Sequence, residues 1–457
     1  MSAEPSLLMT IAPAIGSRLC AGAIGLLALC AGSSGPAAAE PAPSAPVPMP
    51  ALTLTLRGAL AAAADNNPDV QLYRERIKAA EGQVLTQFGA MLPNLSSTVK
   101  QSRQTLFLGT IGLAPVRTDP FSIFDARLYA SQNLISVSLI RRWRASREQL
   151  HIAEFESDAR MYDTMASVGL LYMEGLKAIG MVKMHESNQQ VMSELLAIVR
   201  QRQKGGVATG LDIARLEAQL AGERQLAAAA RYDIQHAKLG ILNLLNLPFD
   251  IAIVFADEFQ TDTADLSSPP AVEEALARRP EVQAQYTRIK AAELTYSSIT
   301  GERLPSLVAQ GDYGLIGNRW SNTLDTFTGA VLLQIPIFDG AQREGRVAEA
   351  RSQLRQEALR MRSVLNQVKM DVHDALAAMV AAKEQLSVAR HGLQAATREL
   401  ELARERYAVM TAASHFELTN GLFAVARARE GLVSALFQLN AARVNLARAT
   451  GTLTTLN

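Results

Sequence analysis

The chain has 457 residues, with 45 Lys and Arg against 44 Asp and Glu, so its formal net charge is only +1. This even balance excludes the basic footprint that marks a nucleic-acid-binding protein. Hydrophobic residues make up 48% and charged residues 19%, which excludes a disordered chain. Aromatic residues are only 5% and alanine is abundant, a composition that favours closely packed helices.

The first 39 residues are predicted to be an export signal peptide. Arg18 precedes an apolar run at 19–29, and small residues follow up to three alanines at 37–39, in the order that signal peptides share. Met9 is an alternative start, and Cys30 is an alternative lipid attachment site that the bulky Leu29 disfavours. Both cysteines of the chain lie in this segment, so no disulfide is expected in the mature protein. Residues 40–54 are predicted to be a linker, and no later run of 18 apolar residues predicts a membrane-spanning helix.

Part of the chain occurs twice. The hexapeptide RIKAAE stands at residues 76–81 and again at 288–293, and 13 of 29 positions match between 67–95 and 279–307 without a gap. The spacing is far too long for a solenoid, whose repeats have about 20–50 residues. The chain is therefore predicted to contain two copies of one large unit, residues 55–246 and 271–453. A linker at 247–270 joins them, and a short tail follows at 454–457.

Each copy contains two predicted strands, within about 94–135 and about 306–337. In the first copy Phe124, Ala126 and Leu128 alternate with Asp125 and Arg127. The second copy alternates in the same way through Leu307, Ala309, Tyr313 and Leu315, and again through Phe327, Val331, Leu333 and Ile335. Period-two alternation predicts strands with one apolar and one polar face.

Long helices fill the rest of each copy, at about 140–245 and about 341–450. A heptad pattern from Leu354 to Tyr407 keeps all sixteen seam positions apolar over 54 residues, which corresponds to about 80 Å of helix. Several seam residues are alanines, including Ala382 and Ala389, which let neighbouring helices approach closely. The predicted fold class is mainly α with a small β part, in which a strand hairpin and a long coiled-coil helical hairpin are duplicated.

Two strand hairpins form an open sheet whose edges carry unpaired backbone groups. Lipid offers these groups no hydrogen-bond partner, so a sheet that spans a membrane must close, with eight strands or more. Three chains would supply twelve strands, and two would supply eight. The sequence therefore favours an outer-membrane barrel shared by several copies, with the core of a soluble sheet as the alternative.

The order of these elements resembles the TolC family of outer-membrane efflux channels. Three motifs carry the resemblance: NNPDV at 66–70, LPSL at 304–307 and QIPIFDG at 334–340. The first copy's counterpart of the third motif, QNLISVS at 132–138, lacks the Pro and the Asp-Gly. The resemblance covers about residues 51–453. It implies a homotrimer in the lipid of the outer membrane, with a 12-strand outer-membrane β-barrel continued by a periplasmic α-helical barrel.

The resemblance also implies an exit duct, which passes substrates from an inner-membrane pump and a periplasmic adaptor to the exterior. Drug efflux, metal efflux and type I protein secretion share such a component, and the residues do not separate them. The alternative is a non-channel periplasmic coiled-coil adaptor or spacer. An adaptor should carry β-rich domains around a single helical hairpin, so the duplicated amphipathic strands disfavour it.

The two breaks between the long helices are candidate adaptor contacts. As ordinary connections they need tight turns and helix caps, which glycines, Thr209 and Ser414 can supply. The resemblance implies in addition that these turns form the periplasmic tip that engages the adaptor. The residues are Gly205, Gly206, Val207, Ala208 and Thr209 in the first break, and Val409, Met410, Thr411, Ala412 and Ser414 in the second.

Polar positions just after the breaks are candidates for a pore constriction. The resemblance matches Glu417 and Asn420, and Asp212 in the first copy, to a ring that narrows the tunnel. Three-fold symmetry would bring three Glu417 carboxylates together, which would repel anions, while Arg215 could neutralise Asp212. The alternative is that Asp212 and Glu417 only stabilise the first turns of the following helices.

No motif supports catalysis or a cofactor. Asp371, His373 and Asp374 lie close together in sequence, but no second histidine follows at the spacing of a metal site, and a solvated helix face explains them better. The sequence contains no Gly-rich phosphate loop, nucleophile elbow or zinc-protease motif. We therefore expect neither an enzyme nor a metal centre.

Overall fold

The computed structural model describes residues 51–261, 268–409 and 415–455. The predicted signal peptide and most of the predicted linker at 40–54 lie outside these ranges. The last four linker residues, 51–54, form a short strand.

The first copy begins with this strand and two short helices, continues with a strand hairpin, and ends in two long helices. The elements are β1 (Ala51–Leu54), α1 (Leu56–Asn66), α2 (Pro68–Gly89), β2 (Asn94–Gln104), β3 (Phe121–Ile135), α3 (Val137–Lys204) and α4 (Gly210–Leu244). The sequence predicts one helix over about 55–91, but a second helix begins at Pro68. The Asn67 side chain caps it by accepting hydrogen bonds from the backbone N–H groups of Asp69 and Val70.

The second copy repeats this order. Its elements are β4 (Ala252–Phe255), α5 (Ser268–Arg278), α6 (Pro280–Gly301), β5 (Ser306–Arg319), β6 (Asn322–Gln334), α7 (Gln342–Val409) and α8 (His415–Thr450). The long helices α3 and α7 both have 68 residues. β4 lies in the segment predicted as a linker and pairs in parallel with β1.

The two strand hairpins form one antiparallel sheet in the order β2-β3-β5-β6. The central pair, β3 and β5, joins the first copy to the second, with Phe124 opposite Gly317 at one end and Ile135 opposite Leu307 at the other. Four strands from one chain therefore make a single sheet rather than two separate hairpins.

The long helices form one layer, in which α4 packs on α3, α3 on α8 and α8 on α7. Near the sheet, α2 packs on α3, and α6 packs on both α3 and α7. The predicted alanine seam of α7 lies in the core: Ala382 is 3% exposed, and Ala389 packs against the same cluster around Met379 and Leu439. Close helix contacts thus occur where the heptad pattern predicts them.

One helix within the described ranges, Val137–Lys204, contains an 18-residue stretch with a mean hydropathy of 1.3, which meets the length and composition of a membrane-crossing helix. Half of this stretch is buried against the rest of the chain. The core helix of a soluble domain has the same properties.

Candidate channel wall and periplasmic turns

The register of the four-stranded sheet places most of its large apolar residues on one face. Val99 pairs with Ala126 and Ala126 with Leu315, so these side chains lie side by side. In the single chain this face is open to solvent; Phe327, for example, is 80% exposed. The other exposed apolar residues of the face are Leu95, Leu128, Tyr313, Val331 and Leu333. An apolar sheet face of this kind fits a lipid environment.

The opposite face carries polar and charged residues around Arg127. Arg127 Nε donates to Asp125 Oδ1 at 2.8 Å, and its Nη1 donates to Asp312 Oδ1 at 2.5 Å, which links β3 to β5. Gly314 leaves room for this side chain: a Cβ there would lie 2.5 Å from the carbonyl oxygen of Ala126 and closer still to Arg127. A sheet with one apolar and one polar face has the character of a barrel wall between lipid and water.

The sheet and the helical layer both end in open flanks. Within the described residues, β2 and β6 each pair on one side only. In the layer, α4 and α7 are the outer helices, and each has a flank turned away from the hairpin partner that it packs against. On α7 this flank exposes four apolar residues, Leu359, Met370, Val388 and Leu402. Their spacings of 11, 18 and 14 positions are close to whole numbers of helical turns, so they lie on one side of the helix. On α4 it exposes Tyr232 and Leu239, one heptad apart.

The first predicted turn, residues 205–209, connects α3 to α4. Gly206 has a φ of 76°, a left-handed conformation that glycine adopts at little cost, and Val207 is 52% exposed at the end of the hairpin. Thr209 caps α4, and the Asp212 carboxylate accepts hydrogen bonds from Thr209 N at 3.0 Å and Thr209 Oγ1 at 2.7 Å. Asp212 thus takes part in a capping box, in line with the helix-start alternative for this residue.

Most of the second predicted turn, residues 410–414, lies outside the described residues. Val409 is the last described residue of α7. Glu417 stands in the first turn of α8 with its side chain 45% exposed, and Arg406 Nη1 lies 3.4 Å from Glu417 Oε2. Asn420, one turn further along α8, is exposed. No sequence pattern signals the Arg406–Glu417 ion pair, which joins α7 to α8 across the turn.

A further contact at this end joins the two helical hairpins. The guanidinium of Arg202 lies 3.9 Å from the ring centroid of Tyr407, and its Nη2 donates to the Tyr407 carbonyl oxygen at 2.6 Å. The contact connects α3 to α7 and combines a hydrogen bond with a cation–π interaction. No local sequence pattern signals it, because the two residues are far apart in the chain.

A partly buried ionic network ties α6 to both helical hairpins. Arg448 of α8 donates to Glu281 of α6 and, at 2.5 Å, to Asp163 of α3. Arg279, just before α6, donates to Asp371 Oδ2 of α7 at 2.7 Å. Burial raises the pKa of Glu281, but the hydrogen bond and ion pair with Arg448 outweigh it and hold this pKa below its ordinary value. Asp371 is thus an ion-pair partner, and no group of metal-ligating side chains occurs within the described residues.

Tyr172 anchors the short parallel strands to the helical layer. Its side chain is fully buried and meets the Phe255 ring edge-on, with the centroids 5.1 Å apart. Its hydroxyl lies 2.9 Å from the Leu54 carbonyl oxygen and 3.0 Å from Asp257 Oδ2, which also accepts from Leu56 N at 2.6 Å. Burial raises the pKa of Tyr172, so the hydroxyl keeps its proton.

In each of the two copies, an amphipathic strand hairpin leads into a long coiled-coil hairpin. This arrangement defines a membrane channel in which a sheet lies in lipid and the helices lie in water. The model of the outer membrane efflux protein family matches residues 59–247 and 271–452, which covers both copies. The chain belongs to the outer membrane efflux protein family. It is an outer-membrane efflux channel, located in the outer membrane and extending into the periplasm. A periplasmic adaptor or spacer is therefore not favoured, and the family consists of transport proteins rather than enzymes.

Relatives and solved structures are similar to this chain over most of its length. Outer membrane efflux protein BepC from Brucella suis biovar 1 (strain 1330) is 24% identical over 421 residues, which cover 88% of this chain and 87% of BepC. The pyoverdine export outer membrane protein OpmQ from Pseudomonas putida is 23% identical over 76% of this chain and 75% of its own length. The fold resembles the crystal structure of VceC from Vibrio cholerae with a TM-score of 0.76 at 17% identity, covering 87% of this chain and 96% of VceC.

Proposed function

We propose that three copies of this chain close one twelve-strand β-barrel and one twelve-helix tunnel, which serve as the exit duct of a tripartite efflux or type I secretion system. The observation that carries the proposal is a four-stranded sheet with an exposed apolar face and two open edges, β2 and β6. Backbone groups at such edges cannot stay unpaired in lipid. Pairing β6 of one copy with β2 of the next satisfies both edges, and three copies supply twelve strands.

The helical layer supports the same closure. Its open flanks belong to α4 and α7, and both carry exposed apolar side chains, such as Tyr232 and Leu239 on α4 and Met370 and Val388 on α7. Exposed apolar patches of this kind mark interaction surfaces. If α7 of one copy packs on α4 of the next, three copies of the four-helix layer form a ring of twelve helices. The sheet and the helices would then close with the same neighbour.

The internal duplication gives a third argument. α6 packs between α3 and α7 and buries Ala284, Thr287, Ala291, Ser298 and Gly301. The residues 212 positions earlier, on α2, are all exposed: Leu72, Glu75, Ala79, Thr86 and Gly89. Because α2 and α6 are copies of one element, the same face should be covered in both. In the single chain α6 packs against both α3 and α7, whereas α2 packs against α3. If α7 of a neighbouring copy covers the exposed face of α2, then α2 lies between two long helices as α6 does.

Oligomeric state and conductance test this proposal. The protein purified from outer membranes should migrate in SDS gels as a trimer before heating and as a monomer after heating, and it should produce discrete conductance steps in planar bilayers. Val388→Arg, on the open flank of α7, should reduce the trimer band. Ser387→Arg, the next residue and also exposed, should not. A protein that cross-links only as a monomer in detergent would contradict the closure.

The turns at the far end of the helices would dock the periplasmic adaptor, and through it the inner-membrane pump. Support comes from the exposed Val207 at a tight turn held by Gly206, because an exposed apolar residue at a rigid tip suits helix-to-helix contact. The residues at 409–414 would form the second half of this tip. A photoreactive residue in place of Val207 should cross-link the adaptor in cells, and the same residue in place of Val99 on the apolar sheet face should not. Equal labelling from both positions would contradict tip docking.

A constriction formed by Glu417 and Asn420 would give this end a preference for cations. Both residues are exposed in the first two turns of α8, where a three-fold axis would bring three copies of each together, and a ring of carboxylates selects cations. We place Asp212 more peripherally, because its carboxylate is engaged with Thr209. Glu417→Gln should lower the cation preference, measured as the reversal potential in a salt gradient, without loss of trimers. An unchanged reversal potential would leave Glu417 as a helix-start residue only.

A further inference from the structure

A groove in the helical layer, formed by α3, α4 and α8, has no part in the architecture described so far. Its volume is about 440 Å³, which lies within the range of small-molecule sites. Its apolar lining includes Ala178 and Met181 from α3, Leu226 from α4 and Phe437 from α8. Three helices thus converge on a cavity large enough for a polycyclic organic molecule.

Carboxylates outnumber cations in this groove. Glu174 on α3, Asp233 on α4 and Glu430 on α8 all line it, and within the described parts of the chain none of them makes an ion pair or a side-chain hydrogen bond. Lys177 turns its ammonium towards Phe437, with Nζ 5.0 Å from the ring centroid. Unpaired carboxylates around an apolar lining create a local negative potential that attracts cations.

The groove lies on the face of the helical layer opposite the short strands β1 and β4. α4 and α8 pack on either side of α3, and residues from all three helices line the groove. The short strands β1 and β4 cover the other side of α3, where they bury Tyr172. Tyr172 stands two residues before Glu174, and two residues turn a helix by about 200°. If the ring proposed above closes with this face inward, the groove lies on the tunnel wall, and the inference rests on that ring.

We propose that this groove is a binding site on the tunnel wall for organic cations that carry an apolar ring system. The ring system packs on the apolar lining, and the positive charge lies among Glu174, Asp233 and Glu430. The ring of Phe437 can make a cation–π contact, as its contact with the Lys177 ammonium shows, and the bound cation competes with Lys177 for this ring. An anion of the same shape meets the same lining but is repelled by the carboxylates. The site therefore favours cationic amphiphiles over anionic ones along the wall of the duct.

Dye binding to the full-length protein in a non-ionic detergent tests the site. The probes are rhodamine 6G, a cationic xanthene dye, and fluorescein, an anionic one, both followed by fluorescence anisotropy. Glu430→Gln and Asp233→Asn should each weaken rhodamine 6G binding by about three- to ten-fold. Lys177→Gln should strengthen it, and Ala229→Trp should abolish it by filling the groove from an exposed lining position. Glu194→Gln, the same charge change outside the groove, should leave it unchanged.

The outcomes separate this site from the channel itself. Parent-like rhodamine 6G binding by all groove variants, or equal binding of fluorescein, would overturn the proposal. Bilayer conductance of the same preparations provides the second readout. Conducting trimers that do not bind rhodamine 6G would contradict the groove alone, whereas a protein that neither assembles nor conducts would contradict the proposed function.

Discussion

Replacing Ala382 by Leu tests the close packing of the helical layer. Ala382 is 3% exposed and belongs to a core cluster with Met379 and Leu386 on α7 and with Ala435 and Leu439 on α8. The new side chain adds three carbons, whose burial would be worth about 2 kcal/mol if space were free. The neighbouring side chains fill that space, so we expect overpacking to prevail at a net cost of about 1–3 kcal/mol per site. Three copies in one assembly would multiply this to about 3–9 kcal/mol.

The assay is thermal unfolding of the purified protein in detergent, followed by circular dichroism and by the temperature at which the band of the proposed trimer disappears. Ala378→Leu is the matched control, because Ala378 lies one turn earlier on α7 and is exposed. We expect a lower unfolding temperature for Ala382→Leu and a parent-like temperature for Ala378→Leu. If both variants unfold at the parent's temperature, Ala382 does not lie in a close helix contact. If the unfolding temperature of both variants falls equally, the effect does not come from the seam.

Three further predictions follow from individual contacts. Tyr172→Phe removes a buried hydroxyl with hydrogen-bond partners and should cost about 1–3 kcal/mol in unfolding free energy, whereas the exposed Tyr286→Phe should cost nothing measurable. The pKa of Glu281 is lowered in the folded state, so the stabilisation that its carboxylate contributes is complete above its ordinary pKa of 4.5 and is lost as the pH falls through the folded-state pKa. The unfolding free energy should therefore decline with falling pH more steeply in the parent than in Glu281→Gln, and an equal decline would contradict this. Arg406→Gln removes the cation that lies 3.4 Å from the Glu417 carboxylate. The channel's preference for cations, measured as the reversal potential, should therefore increase. A decrease would place this carboxylate away from the pore.

Much of the fold could be predicted because its signals are local and periodic. The heptad seam through Ala382 identified a buried position, and the alternation through Phe327 identified an apolar strand face, since a helix or strand repeats its orientation every few residues. The helix cap at Thr209 was predictable for the same reason, because a cap and its helix are neighbours in sequence. The parallel pairing of β1 with β4 was not, because a four-residue strand carries too little pattern to identify its partner.

The contacts at the periplasmic end show the same limit. The family resemblance identified Glu417 as a candidate, but its ion pair with Arg406 depends on how α7 meets α8. The contact of Arg202 with Tyr407 depends on how two separate hairpins lie side by side. Neither pair follows from spacing, since ionic and cation–π contacts across helices leave no periodic trace in the chain.

By itself the sequence determined the kinds of elements, their apolar faces and the existence of two copies, because local periodicity and internal identity are written directly in the order of residues. The tertiary structure alone decided that the strands lie in the order β2-β3-β5-β6 and the long helices in the order α4, α3, α8, α7. That order follows from which apolar faces can bury one another across large chain separations. It also decides which edges and flanks of the single chain stay open, and hence where a second copy can attach.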